Sequence, residues 1–296
     1  MSGLRLWAVA SRPRTLPAAV APVIVGTAAA VEDSDELRVG AFLAALIGSV
    51  FIQIGTNLAN DYSDAKRGAD SVDRLGPVRV VASGLVAPRR VLVATWVAFG
   101  VAVAAGIYLT ALAGPVILAV GAVSILAGVL YTGGPRPYGY AGLGEAFVFL
   151  FFGLVAVNGS FYVQLERLEW LPFALSIPVG FLSTAILVVN NVRDIDTDRR
   201  AGKRTLAVRL GRARARDLYA AVVVGAYVAL PLAVALSGGT GWALLALASA
   251  PLAISPLLTV RTHTDGPALN TALAATGAVL AVFSLLLTAG LLIAGA

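Results

Sequence analysis

Long apolar runs separated by short polar breaks make up nearly the whole chain. Nine runs are long enough to be read as membrane spans, roughly 15–31, 40–60, 91–112, 114–132, 143–164, 171–191, 217–237, 240–260 and 268–294. Gly and Pro punctuate the tightest breaks, Ala113-Gly114-Pro115 and Gly238-Gly239-Thr240-Gly241. The pattern predicts an all-α polytopic membrane protein, with nine transmembrane helices bundled around a central cavity. The chain reads as one integral-membrane domain over 1–296. A weak pseudo-repeat relates roughly 1–132 to 143–260, with a ninth helix appended.

Two apolar runs end in polar residues that share a helix face. At about 100° per residue, Asn57, Asn60, Asp61 and Asp64 fall at i, i+3, i+4 and i+7. In the second stretch Asn190, Asn191, Asp194 and Asp198 fall at i, i+1, i+4 and i+8, and Asp196 points the opposite way. Carboxylates and carboxamides at such a place are costly beside lipid, unless they line a wet cavity or bind a cation. A single Asp at a helix end usually solvates a loop. Two matched sets in corresponding places argue against that reading.

Composition agrees with the apolar pattern. Hydrophobic residues make up 58% and charged residues 13%, with a mean hydropathy of +0.86. Soluble domains carry about 25% charged residues, so a soluble domain is excluded. Cys is absent and His263 is the only histidine, which rules out thiolate and multi-histidine metal sites. Any metal must sit among oxygen ligands, which suits Mg²⁺ or Mn²⁺. Of the 22 basic residues, only Arg38 and Arg167 fall on one side of the nine-span arrangement. The bias predicts a cytoplasmic N-terminus and an outside C-terminus, with both carboxylate stretches opening to the cytoplasm. In a chain of net charge +6 it points to topology and anionic ligands, and no nucleic-acid partner is expected. Pro13 and Pro17 interrupt the first apolar run, so no leader cleavage is expected. Twenty Arg against two Lys, with abundant Ala and Gly, suggest a high-GC prokaryote and its plasma membrane.

Two carboxylate clusters on one cavity suggest Mg²⁺ that completes its shell with substrate phosphates. Lys66, Arg67, Lys203 and Arg204 flank them and are candidates for the remaining phosphate oxygens. A diphosphate held this way is a good leaving group. The competing class is a secondary transporter, which would also show a pseudo-repeat. Its polar residues belong at the midplane, however, and here they cluster at one end.

The runs Asn60-Asp61-Tyr62-Ser63-Asp64 and Asp194-Ile195-Asp196-Thr197-Asp198 resemble the two aspartate-rich motifs of UbiA-type membrane prenyltransferases. The resemblance extends over nearly the whole chain. One departure stands out: Gly68 occupies the place of the last Asp of the first motif, and Asp70 follows two residues later. That form is similar to the branch acting on 1,4-dihydroxy-2-naphthoate. So are Tyr131-Thr132-Gly133-Gly134-Pro135, the run from Gly139 to Glu145, and the run from Gly202 to Gly211. The resemblance implies Mg²⁺-dependent transfer of a polyprenyl group from its diphosphate to the naphthoate, with decarboxylation. Other acceptors of the family are 4-hydroxybenzoate, homogentisate, haem and a glycerol phosphate.

By the same resemblance Asp61 and Asp64 hold one metal ion, and Asp194 and Asp198 another. Asn57 and Asn60 orient ligands, with Asn190 and Asn191 on the second face, and Asp70 serves the diphosphate site. Tyr131 and Arg136 contact the acceptor or the diphosphate, or else form an interfacial anchor pair. His263 reads as a solvated loop residue, and Glu145 as a helix-dipole partner. Trp7, Trp96, Trp170 and Trp242 read as interface anchors or packing. Asp73 reads as a solvated loop charge, and Asn158 is either interhelical or cavity-facing.

Overall fold

The computed structural model describes residues 3–69, 75–76 and 78–294; Asp70 and Asp73 lie outside the described residues. Eleven helices and no strand occur among those described: α1 (Gly3–Ala10), α2 (Pro17–Ser34), α3 (Val39–Lys66), α4 (Pro88–Ala113), α5 (Val116–Leu130), α6 (Gly144–Leu165), α7 (Trp170–Arg200), α8 (Leu206–Leu210), α9 (Arg212–Ser237), α10 (Gly241–Thr262) and α11 (Gly266–Ala294). Each expected span is occupied by one of them. Seven, namely α3, α4, α6, α7, α9, α10 and α11, are long and apolar enough to cross a membrane. The first expected span is instead part of a pair, residues 5–15 and 17–34, bent by 56°. The fourth, α5, has only 15 residues. The chain is thus a multi-pass membrane protein.

Local sequence sets the helix limits. Pro88 stands in the first turn of α4, where its missing N–H costs nothing. Gly114 (φ 85°) ends α4 and Gly238 (φ 70°) ends α9, at backbone angles that L side chains resist. The helices α3 and α7 continue past their apolar runs, to Lys66 and Arg200. Both polar motifs therefore lie on unbroken helix, which is what a shared face requires.

The helix α7 is the axis of the bundle. Its apolar segment is mostly buried, and Leu175, Val179, Leu182, Ala185 and Val189 are fully enclosed. Around it pack α2, α6, α9 and α11, and α10 extends the same core by packing on α9 and α11. The helices α3, α4 and α5 form a flank with a smaller cluster built on Ala41, Ala44, Leu109 and Ile117. Close approach depends on small residues. A Cβ on Gly153 of α6 would stand 2.8 Å from the Cα of Gly180 and 2.9 Å from the Ser176 carbonyl oxygen, both on α7. At the end remote from the polar motifs, Arg38 pairs with Glu166 at 2.7 Å, and Arg167 pairs with Asp33 and Glu169. These pairs are exposed and add little stability. They do neutralise the two basic residues that depart from the charge bias.

Gly153→Val should therefore lower the thermal unfolding temperature of the detergent-purified protein, at a cost of about 1–3 kcal/mol from overpacking. Gly121→Ala, inside α5, has no heavy atom within 4 Å of the new Cβ and should not lower that temperature, with helix propensity favouring a small rise.

Candidate active site

The helix α3 supplies one wall of a cavity of about 330 Å³ that runs through the bundle. Ala45, Gly48, Ile52, Thr56, Asn60 and Asp64 all line it. At 1.5 Å per residue that face extends roughly 28 Å, close to the hydrocarbon thickness of a bilayer. Most of the lining is apolar, including Leu109 and Ile117 at the far end and Phe147, Phe151 and Phe152 of α6. A π-helical stretch, Phe149–Val155, falls in this wall. Polar groups concentrate at one end. Asn57, Asn60 and Asp64 enter from α3; Asn190, Asn191, Asp194 and Asp198 enter from α7; Tyr131 and Lys203 come from the adjoining loops. The helical-face reading holds for Asn57, Asn60 and Asp64 and for the four residues of α7, but not for Asp61, which turns to the Val80 and Val81 amides instead of the cavity. Asp196 is exposed and pairs with Arg212 at 2.7 Å, on the opposite side of α7 from the cavity.

Asp64 is 1% exposed and is held from three separate segments. Its Oδ2 accepts from Arg79 at 2.9 Å and from Lys203 Nζ at 3.1 Å, and its Oδ1 accepts from the Tyr140 hydroxyl at 2.6 Å. Lys203 also lies 4.8 Å above the Tyr140 ring, a cation–π contact. Asp61 is buried but does not line the cavity. Its carboxylate accepts the backbone amides of Val80 at 2.9 Å and Val81 at 3.2 Å, which fixes the loop carrying Arg79.

A second polar hub sits on α7. Arg193 is fully buried and donates from Nε and Nη2 to the two oxygens of Asp194, at 2.8 and 2.6 Å. It also reaches Asn190 and, on α11, Asn270, each at 2.8 Å. Asn191 donates to buried Glu145 at 2.8 Å. Asn57 donates to the Ser11 carbonyl at 3.0 Å, and Asn60 accepts from Thr132 at 2.8 Å. Tyr131 meets Tyr138 edge-on at 5.4 Å. Burial pushes the Tyr138 hydroxyl above the ordinary phenol range, so it stays neutral at physiological pH.

Four expected phosphate or acceptor contacts lie elsewhere. Lys66, Arg67, Arg136 and Arg204 are exposed and outside the cavity lining. Lys66 follows Asp64 by two residues, which rotates it about 200° around α3, and Arg67 lies just past the last residue of that helix. Arg67 instead donates to the Gly134 carbonyl, 5.8 Å above the Tyr140 ring. Arg204 neighbours buried Lys203 and is engaged through its backbone, the amide donating to the Tyr140 carbonyl at 2.9 Å and the carbonyl accepting from Arg209 Nε at 3.1 Å. The residues that contact the two motifs are instead Arg79 and Tyr140 on Asp64, Arg193 on Asp194 and Glu145 on Asn191. Arg79 and Arg193 count only as topology charges in the sequence, and Glu145 only as a dipole partner. Asn158 bonds within its own helix to the Leu154 carbonyl at 2.8 Å, and His263 is exposed, as its loop position suggested.

The donor set fits a hard divalent cation. All side-chain donors at the polar end are oxygen or amide groups. No group of three or more Asp, Glu, His or Cys that could hold a metal alone occurs among the described residues. Ions here would take one or two carboxylates each and complete their shells from water and phosphate, as Mg²⁺ does. Arg79 and Lys203 share the neutralisation of Asp64, so either can be lost more cheaply than both. Arg79→Met and Lys203→Met should each lower stability modestly. The double variant should cost more than the sum, approaching the roughly 3–5 kcal/mol of a buried charge stripped of its cationic partners. Thermal melts of the four proteins measure this directly.

Comparison with known proteins follows the same lines. The model of the UbiA prenyltransferase family matches residues 19–272. The chain is similar to 1,4-dihydroxy-2-naphthoate octaprenyltransferase of Mycobacterium tuberculosis, with 46% identity over 285 residues covering 96% of each protein. It is 44% identical to the enzyme of the same name from Mycobacterium leprae, over 100% of this chain and 99% of that protein. The fold resembles that of a UbiA homolog from Archaeoglobus fulgidus bound to GPP and Mg²⁺, with a TM-score of 0.61, 14% identity, and coverage of 95% and 99%. A match over most of the chain, with relatives this similar over their full length, makes the chain a member of the UbiA prenyltransferase family.

Proposed function

We propose that this protein transfers a polyprenyl group from a polyprenyl diphosphate to 1,4-dihydroxy-2-naphthoate, in menaquinone biosynthesis. The carrying observation is the near-complete match to relatives named for that reaction, joined to a cavity polar at one end and apolar through its depth. In the reaction the allylic C–O bond to diphosphate breaks and a ring carbon bonds to the prenyl carbon. The ring carboxylate leaves as CO₂ and the diphosphate departs, giving demethylmenaquinone in its hydroquinone form, with no change of oxidation state in the ring.

Asp64, Asp194 and Asp198, which line the cavity, would hold divalent cations, Mg²⁺ or Mn²⁺, together with the diphosphate oxygens; Asp61 would join them only by releasing the Val80 and Val81 amides. When bound, such ions neutralise charge on the departing diphosphate. Lys203 and Arg79 are already aimed at Asp64 and would add positive charge beside the same oxygens. Asn57, Asn60, Asn190 and Asn191 offer orienting amides, with Asp61 bracing the loop of Arg79. Asp70 is proposed to serve the same end, and Tyr131 to contact the acceptor. Phe147, Phe151 and Phe152 would exclude water from the allylic cation and accommodate the prenyl tail.

We further propose nine membrane crossings, with α5 and the bent pair containing α2 among them. The N-terminus and the polar end of the cavity then face the cytoplasm, and the C-terminus faces outward, as the basic-residue bias supports. Topology reporters check this: one placed near Gly211 should read cytoplasmic and one after residue 296 outside. A cytoplasmic C-terminus would remove an odd number of crossings.

Mass spectrometry of products formed by purified protein, from an acceptor panel and polyprenyl diphosphates, tests the activity. Prenylated, decarboxylated naphthoate should form with Mg²⁺, vanish in EDTA and return on adding metal. Asp194→Ala and Asp198→Ala should abolish it, whereas Asp196→Ala, which loses only an exposed pair with Arg212, should stay within a few-fold of wild type. Equal loss in all three at normal expression would break the one-face assignment. Substrate uptake into vesicles without product would favour a transporter.

A further inference from the structure

A second concavity lies outside the bundle, on the same end as the polar motifs. It is a groove of about 600 Å³ bounded by α1, α3 and α4. Phe51, Ile54 and Leu58 of α3 form one wall, and Val93, Ala94 and Val97 of α4 the other. The longer wall, Phe51 to Leu58, rises by seven residue steps, so the groove is about 10 Å deep along the helices. Its lining is almost wholly apolar, but its mouth is not. Arg89 and Arg90 stand there, in the first turn of α4. Both are exposed, and neither makes an ion pair or side-chain hydrogen bond with a described residue. Cations in a first turn also oppose the helix dipole, which favours negative charge at that place. Two adjacent guanidinium groups therefore have no counter-charge among the described residues, directly above an apolar slot.

We propose that this groove binds an anionic glycerophospholipid, with its phosphate at Arg89 and Arg90 and the start of an acyl chain between α3 and α4. Charge complementarity selects the headgroup, since basic residues at a membrane surface attract anionic lipid. The apolar walls select a chain, which a free phosphate lacks. The site is separate from the cavity but mechanically joined to it. Ser11 lines the groove, and its carbonyl accepts from Asn57 in the cavity. Leu58 lines the groove and packs in one cluster with Val80, whose amide holds Asp61. A lipid bridging α1, α3 and α4 would brace both contacts.

The test uses full-length protein purified in neutral detergent, titrated with phosphatidylglycerol, phosphatidylcholine and glycerol phosphate. Native mass spectrometry counts bound lipid, and thermal melts report stabilisation. Wild type should bind phosphatidylglycerol in preference to phosphatidylcholine and gain little from glycerol phosphate. Arg89→Gln/Arg90→Gln should lose that preference, by about tenfold in apparent affinity or more, given what two basic residues contribute at an anionic surface. Arg199→Gln/Arg214→Gln removes the same charge from exposed positions outside the groove and should keep the preference. Ala94→Phe, which keeps both arginines and fills the slot, should reduce retained phosphatidylglycerol. Equal binding of the two lipids by wild type, or an unchanged preference in the Arg89/Arg90 variant, would overturn the proposal. So would matching stabilisation by glycerol phosphate, or an unaltered lipid count in Ala94→Phe.

Discussion

A carboxylate buried inside an apolar bundle must be neutralised from within, and Asp64 shows how much structure that demand organises. It sits on α3, but its partners come from the loop after α3, the loop after α5 and the loop after α7. Val80 gives the first of these loops an apolar anchor against Leu58 and Val91, but it is Asp64 that all three segments reach with a polar side chain. Burying the charge without them would cost several kcal/mol. Arg79, Tyr140 and Lys203 therefore fix the polar end of the cavity, and Asp61 reinforces it by tying down the loop that carries Arg79. On α7 the pairing of Arg193 with Asp194 answers the same demand and extends it to Asn190 and to Asn270 of α11.

Those pairings leave an unusual local environment. Positive and negative groups alternate at one end of a long apolar cavity, close to balance as they stand. A diphosphate brings several negative charges and needs more compensation than Arg79 and Lys203 supply. Divalent cations would carry that extra charge, and the oxygen donors of α3 and α7 suit them. Beyond this end the lining turns to Phe, Leu, Ile and Val, the right surroundings for an isoprenoid tail and the wrong ones for water. The polar and apolar halves of a prenyl diphosphate thus find matching halves of one cavity.

Much of this was legible in the sequence, because helical periodicity projects directly into space. The one-sided placement of Asn57, Asn60 and Asp64, the inward aim of Asp194 and Asp198, and the outward aim of Asp196 all follow from 100° per residue on unbroken helix. Loops carry no such period, and there the reading of charge alone misplaced residues. Lys66, Arg67, Arg136 and Arg204 are basic and close to the motifs in sequence, yet they are exposed. Arg79 and Tyr140 are 15 and 76 positions from Asp64, and the contact that matters is set by how three loops fold back together. The short α5 and the bent pair with α2 escaped for a different reason: composition reports that a run is apolar, and not how far it travels before turning.

The central claim is that the faces of α3 and α7 act as one metal–diphosphate site. Electron paramagnetic resonance of Mn²⁺ bound to the purified protein, with and without a non-hydrolysable prenyl diphosphate analogue, tests it most directly. Mn²⁺ should bind weakly alone and tightly once the analogue is present, and either Asp64→Asn on α3 or Asp198→Asn on α7 should remove that cooperation. Analogue binding of equal strength in metal-free protein, or Mn²⁺ binding that ignores one of the two helices, would contradict the account.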